Sequence, residues 1–201
     1  MPRKKEEPAV YQLKITLLGI EPPIWRRIQV PNTLLLCCLH DALQAVLGWT
    51  DSHLHQFVKD GTYWSDPEWY EDYDDIEVID ESRVRIGRVL KIEGESVRYD
   101  YDFGDNWQHE VVLEKILPTP AVRPSPRCLG GERHRPPEDV GGTSGYEEFL
   151  VVIFDPTHEE YEHYVGWAGG AFHPEEFDLK AVNEVLSRMR WPARHRLRNP
   201  G

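Results

Sequence analysis

The sequence predicts an α+β fold: an N-terminal β-hairpin with a helix, further strands in a mixed or antiparallel sheet, then a C-terminal helical part. Three observations carry this. Apolar and polar residues alternate with period two in segments up to Leu113, apolar spacings of three and four dominate after Ser144, and neither a regular βαβ alternation nor a fixed repeat runs through the chain.

The elements follow in order. Tyr11, Leu13, Ile15 and Leu17 alternate with Gln12, Lys14 and Thr16, the pattern of a half-buried strand. Gly19 to Pro23 is a turn, and Ile24 to Val30 alternates again, closing a hairpin. Thr33 is placed to cap a helix carrying Leu36, Leu39, Leu43, Val46 and Leu47 on one face, with Gly48 at its end. Ser52 to Val58 reads as a short strand, and residues 66–81, with nine acids and no Lys or Arg, as a long acidic loop. Val84 to Leu90 fits a short helix or a strand. The clearest hairpin pairs Val97–Phe103 with Trp107–Leu113 around Gly104-Asp105-Asn106. Six prolines between Pro118 and Pro137 predict a long crossing loop. Ser144-x-x-Glu147 and Thr157-x-x-Glu160 match capping boxes, and Asp178 is placed to cap a last helix that Trp191-Pro192 ends.

The chain has 201 residues, 40% of them hydrophobic and 11% aromatic, enough for one folded domain over 10–191 between a loose terminus (1–9) and a basic tail (192–201). No apolar run approaches the roughly 18 residues of a membrane span, and the charged start does not resemble a signal peptide. Three cysteines, two of them adjacent at Cys37 and Cys38, argue against a disulfide framework and for a reducing, cytoplasmic setting. The net charge of −12 opposes nucleic acid and anionic membranes as partners.

Several strings carry a resemblance. They are Pro22-Pro23-Ile24-Trp25-Arg26-Arg27; Leu39-His40 followed by Gly48-Trp49-x-Asp51-Ser52-His53-Leu54-His55-x-Phe57; Tyr99-x-Tyr101-Asp102-Phe103-Gly104-Asp105-x-Trp107-x-His109; Cys128-x-Gly130-Gly131-x-Arg133; Pro136-Pro137-Glu138-Asp139-x-Gly141-Gly142-x-x-Gly145-Tyr146; and Phe172-x-Pro174-x-x-Phe177-Asp178. In these strings, spread over nearly the whole of 10–191, the chain resembles the plasmid pRiA4b ORF-3-like family. The resemblance implies an α+β domain without an assigned chemistry. Some members are labelled transposon resolvases and some are fused to a repressor-type DNA-binding domain. Relatives often carry cysteine at the position of His134. Here that excludes a disulfide to Cys128 but keeps a metal-binding pair, because imidazole and thiolate both bind zinc.

The residues themselves offer three candidate sites. His53-x-His55 would point both rings to one face of a strand. With His40 on the core side of the first helix, His109 on another strand and a carboxylate from Asp102 or Asp105, these residues form a candidate ligand or metal cluster. The alternative is separately satisfied histidines, with Asp102 paired to Arg98, Arg26 or Arg27 and Asp105 shaping a turn. Cys128 and His134 make a second, looser metal pair that would need His158, His163 or His173 to complete it. Trp25, Trp49, Tyr101 and Trp107 could line a groove or simply fill the core.

Other motifs fail on geometry. In His158-Glu-Glu-Tyr-Glu-His163 the second histidine falls at +5, about 140° away from the first on a helix, so it is no zincin. The glycines at 141, 142 and 145 precede Glu147 and Glu148, which repel phosphate. No serine has a resolvase-like setting. The sequence therefore points first to a non-enzymatic module that binds a protein or small ligand in a groove beside the 99–109 hairpin. The acidic 66–81 segment favours a basic partner. The alternatives are a metal-dependent, hydrolase-like enzyme using the His/Asp cluster and a divalent cofactor, and an accessory DNA-associated protein of mobile elements.

Overall fold

The fold was analysed in a computed structural model, which describes residues 7–70, 77–120 and 124–191. One eight-stranded sheet runs through it in the order β5-β4-β3-β6-β7-β1-β2-β8. The strands are β1 (Ala9–Leu17), β2 (Trp25–Pro31), β3 (His55–Lys59), β4 (Thr62–Ser65), β5 (Val78–Asp80), β6 (Ser96–Tyr101), β7 (Trp107–Pro118) and β8 (Arg127–Glu132). All neighbours are antiparallel except β4 and β5. The helices are α1 (Leu36–Leu47), the short α2 (Ile86–Val89), α3 (Gly142–Ile153), α4 (Tyr161–Trp167) and α5 (Leu179–Arg188).

Both predicted hairpins form, β1 with β2 and β6 with β7. Their alternation sends Leu13, Ile15, Leu17, Ile28, Val97, Tyr99, Val111 and Leu113 into the core. There they meet Leu36, Leu39, Leu43 and Val46 from α1 and Tyr146 and Phe149 from α3. The other sheet face stays partly exposed and polar, as expected for an antiparallel sheet covered on one side.

Four local expectations need correction. No side chain caps α1, because Leu35 precedes it in extended backbone and bridges Arg85, which moves Thr33 out of the cap position. Ser144 does not cap α3, which already starts at Gly142 behind a left-handed Gly141. The proline-rich segment contains β8, which sequence alternation could not reveal because Cys128 is its one well-buried residue. Its outer edge is closed by Asn183 of α5, whose Oδ1 accepts from the Cys128 N–H (3.0 Å) and whose Nδ2 donates to the Cys128 carbonyl (2.9 Å). The acidic segment contains β5 and two 3-10 turns, Pro67–Tyr70 and Glu81–Arg83, while 71–76 lie outside the described residues. By contrast Asp178 does cap α5, accepting from the N–H groups of Lys180 and Ala181. Of the expected loose ends, 1–6 and 192–201 lie outside the described residues, and Ala9 is tied to Asn32.

Arg26 ties the end of α1 to β2 and β8. It is 2% exposed. Its guanidinium donates to four carbonyls: Val46 at the end of α1, Trp25 in β2, Glu132 in β8 and Arg133 beyond it, each at 2.8 Å. Its planar face lies 4.3 Å from the Phe177 ring. Replacing Arg26 by Met orphans these buried acceptors and is expected to cost about 3 kcal/mol in urea unfolding. Arg26→Lys should recover less than half of this, because an ammonium cannot reproduce the planar fork. A loss below about 1 kcal/mol would contradict the role.

Candidate functional site

Gly48 (φ 90°) ends α1 in the left-handed conformation, and the chain returns through Asp51 (φ 55°) towards β3. Aspartate tolerates that conformation better than most residues. This return loop places two histidines in different surroundings.

The first site is buried and neutral. His40 of α1 stacks face to face on His55 of β3, with ring centroids 3.5 Å apart and planes 5° from parallel. Asp51 Oδ1 accepts, so the His40 Nε2–H donates to it (2.8 Å) and His40 Nδ1 accepts from the Tyr99 hydroxyl (2.8 Å), which itself accepts from Gln44 Nε2 (2.9 Å). The Asp51 N–H donates to Gln44 Oε1 (2.8 Å). On the other ring, His55 Nε2 lies 3.0 Å from Glu81 Oε2. Burial lowers the pKa of His55 to about 4, also lowers that of His40, and raises that of Glu81 to about 7. Two neutral imidazoles can stack where two imidazolium ions would repel.

The second site lies at the sheet rim and is rich in charge. His53 precedes β3, so the period-two rule that would align it with His55 does not reach it. Its Nε2 is buried without a hydrogen-bond partner. Around that atom lie Asp139 Oδ1 at 3.2 Å, Asp102 Oδ2 at 3.6 Å and Glu138 Oε2 at 4.0 Å. One ligand atom from each of His53, Asp102 and Asp139 falls within 4.8 Å of the others.

The sister oxygens of two carboxylates are anchored. Asp102 Oδ1 accepts from the N–H groups of Gly104 (3.0 Å) and Asp105 (3.3 Å). Glu138 Oε1 accepts from the Thr50 N–H (2.8 Å) and hydroxyl (2.9 Å). Each keeps its other oxygen directed at His53. Asp102 (φ 56°) and Asp139 (φ 57°) both sit in left-handed backbone, a local strain concentrated where these carboxylates are aimed. Such outer-shell anchoring orients metal ligands.

The five residues expected to converge are thus split. His40 and His55 form the buried stack, and His53 lies at the rim with Asp102. His109 is fully buried in the core, with Nδ1 3.2 Å from the Tyr99 carbonyl and its ring edge-on to Trp49. Asp105 is turned away from His53 and accepts from the Gly141 N–H (3.1 Å). Cys128 and His134 make separate local contacts, Cys128 Sγ to the Gly130 carbonyl and His134 Nδ1 beside the Arg135 carbonyl. Among the described residues they join no metal-type group.

The expected groove aromatics are placed differently too. Trp49, Tyr101 and Trp107 are at most 6% exposed and pack on one another in the core. Trp25 lies on the polar sheet face between Lys14 and Arg27. Two surface hollows of about 500 and 480 Å³ include none of the four. Sequence reasoning assigned no chemistry to Glu138 and Asp139. Their signal was a carboxylate pair held between two prolines and two glycines.

Comparison with known proteins now bears on the strings around these sites. The profile of the plasmid pRiA4b ORF-3-like protein family matches residues 9–181, which include every rim residue. The chain belongs to the plasmid pRiA4b ORF-3-like family. It is 39% identical over 178 residues to the uncharacterized protein y4hQ of Sinorhizobium fredii (strain NBRC 101917 / NGR234), covering 87% of each chain. It also superposes on the crystal structure of the protein of unknown function MM3350 from Methanosarcina mazei Go1. That match has a TM-score of 0.78 and 42% identity, and covers 89% of this chain and 99% of that one. This pRiA4b ORF-3-like chain therefore shares its α+β fold with a solved protein. Among its described residues no helix is long and apolar enough to cross a membrane.

His109 gives the fold an acid sensitivity of calculable sign. Burial lowers its pKa from 6.5 to about 4, so the unfolded chain takes up this proton first as pH falls. Its contribution to stability is complete above pH 6.5 and is lost towards pH 4. Between pH 7.5 and 5 this amounts to about 2 kcal/mol. The His109→Gln variant keeps a donor for the Tyr99 carbonyl but cannot titrate. The difference between its urea stability and that of the wild type should shrink by that amount over the same range. A difference independent of pH would contradict this.

Proposed function

We propose that this pRiA4b ORF-3-like chain is a binding domain whose ligand is a divalent metal ion. His53, Asp102 and Asp139 are its ligands, and Glu138 is a fourth donor. The observation that carries this reading is the buried Nε2 of His53, which has no hydrogen bond and faces three carboxylate oxygens within 4.0 Å. The anchoring of Asp102 and Glu138 through their other oxygens supports it, because it orients these groups before any ion arrives.

The donor set narrows the ion. Three carboxylates favour a hard cation, while the imidazole favours Mn²⁺, Fe²⁺ or Zn²⁺ over Mg²⁺ and Ca²⁺. Three negative ligands around a doubly charged ion leave a net charge of about −1, which weakens its pull on a bound water. Charge balance therefore favours holding the ion over hydrolysis by it. Asp139, with a side chain 70% exposed, gives the ion a path from solvent.

The test is calorimetric titration of chelator-treated, extensively dialysed protein with Mn²⁺ and Zn²⁺. About one equivalent should bind. His53→Ala and Asp102→Asn should each weaken binding by about 100-fold or more, and Asp105→Asn, which alters a carboxylate facing elsewhere, by less than about 5-fold. Unaltered affinity in His53→Ala, or no binding by the wild type, would refute the site.

A further inference from the structure

Resting on the metal reading above, we infer that the ion is a clip: its occupancy sets how often segment 138–142, which leads into α3, opens away from the return loop 48–53. The two segments run side by side with contacts in register. Arg135 Nε donates to the Gly48 carbonyl (2.7 Å), and its guanidinium lies 4.9 Å from the Trp49 ring. Glu138 takes both donors of Thr50, and Asp139 faces His53. Gly141 then donates to Asp105, and the chain enters α3 at Gly142 (φ 69°). A Cβ at Gly142 would lie 2.6 Å from the Asp105 carbonyl oxygen, so backbone meets backbone there.

The two ends of this seam differ in charge. At Arg135 a cation meets a carbonyl and an aromatic face, an attraction that needs no further group. From Glu138 onward the seam gathers Asp102, Glu138 and Asp139 around one imidazole. Carboxylates so close repel unless a cation lies between them. A divalent ion turns that repulsion into attraction on both sides of the seam, since His53 and Asp102 belong to the sheet side and Glu138 and Asp139 to the α3 side. The body of α3 stays docked either way, because Tyr146 and Phe149 are fully buried. The metal-dependent part is therefore confined to the segment that carries the ligands.

Hydrogen exchange on the full chain, with chelator or with Mn²⁺ at 100 times its measured Kd, tests this. An opening that parts Asp139 from His53 must release the ion, so exchange at the amides of 138–142 should slow by up to about 100-fold. Amides in the centre of β1 and β7 should be unaffected. Asp139→Asn, which removes one of the two carboxylate charges on the α3 side, should lose the slowing. Two results would overturn the clip while leaving the metal site intact: one bound equivalent with unchanged exchange at 138–142, or a slowing spread evenly over the sheet. Absence of any binding heat would remove the metal reading, and the clip with it.

Discussion

A buried guanidinium sets the frame on which this fold depends. Arg26 carries its charge into the interior, where burial lowers its pKa to about 10 and still leaves it protonated at neutral pH. Its compensation is four backbone carbonyls, drawn from β2, the end of α1, the end of β8 and the residue beyond it. A rigid planar donor fixes the relative positions of its acceptors far more tightly than apolar packing does. Two of the three segments that build the rim site start from those acceptors, the return loop following α1 and the 133–142 segment following β8, while Asp102 comes from the turn after β6.

From this frame the return loop separates two polar clusters by less than ten residues of chain. His55 and His40 are buried, and burial makes their neutral forms the stable ones, so the pair packs as two stacked neutral rings. His53, two residues earlier, reaches the rim, where the carboxylates are anchored by N–H groups and a threonine hydroxyl rather than by cations. The same residue type has opposite roles because one ring enters the ladder at β3 and the other stops short of it. Low dielectric penalises unpaired charge in the first place, whereas the second gathers pre-aimed carboxylates within reach of solvent.

Much of the architecture was legible in the sequence. The two hairpins, α1 with its Gly48 terminus and the Asp178 cap were all readable from periodicity and capping chemistry, because each is decided by neighbours within a few residues. β8 was not legible, since its stability comes from β2 and from Asn183, more than fifty residues away, and only Cys128 is well buried within it. The family strings held the right residues for the rim. Spacing alone joined His53 to His55, whereas the left-handed turns at Asp51 and Asp102 join His53 to Asp102 and Asp139. For Trp49, Tyr101 and Trp107 the sequence leaves groove and core both open, and their burial in contact with one another makes them core.

The central claim is that one cation sits between the sheet rim and the segment before α3. Its most direct test is a crystal structure of the Mn²⁺-loaded protein with diffraction measured at the manganese absorption edge. The account predicts one strong anomalous peak at bonding distance from His53 Nε2, Asp102 Oδ2 and an oxygen of Asp139. A map featureless at His53, or a peak on other ligands, would contradict it.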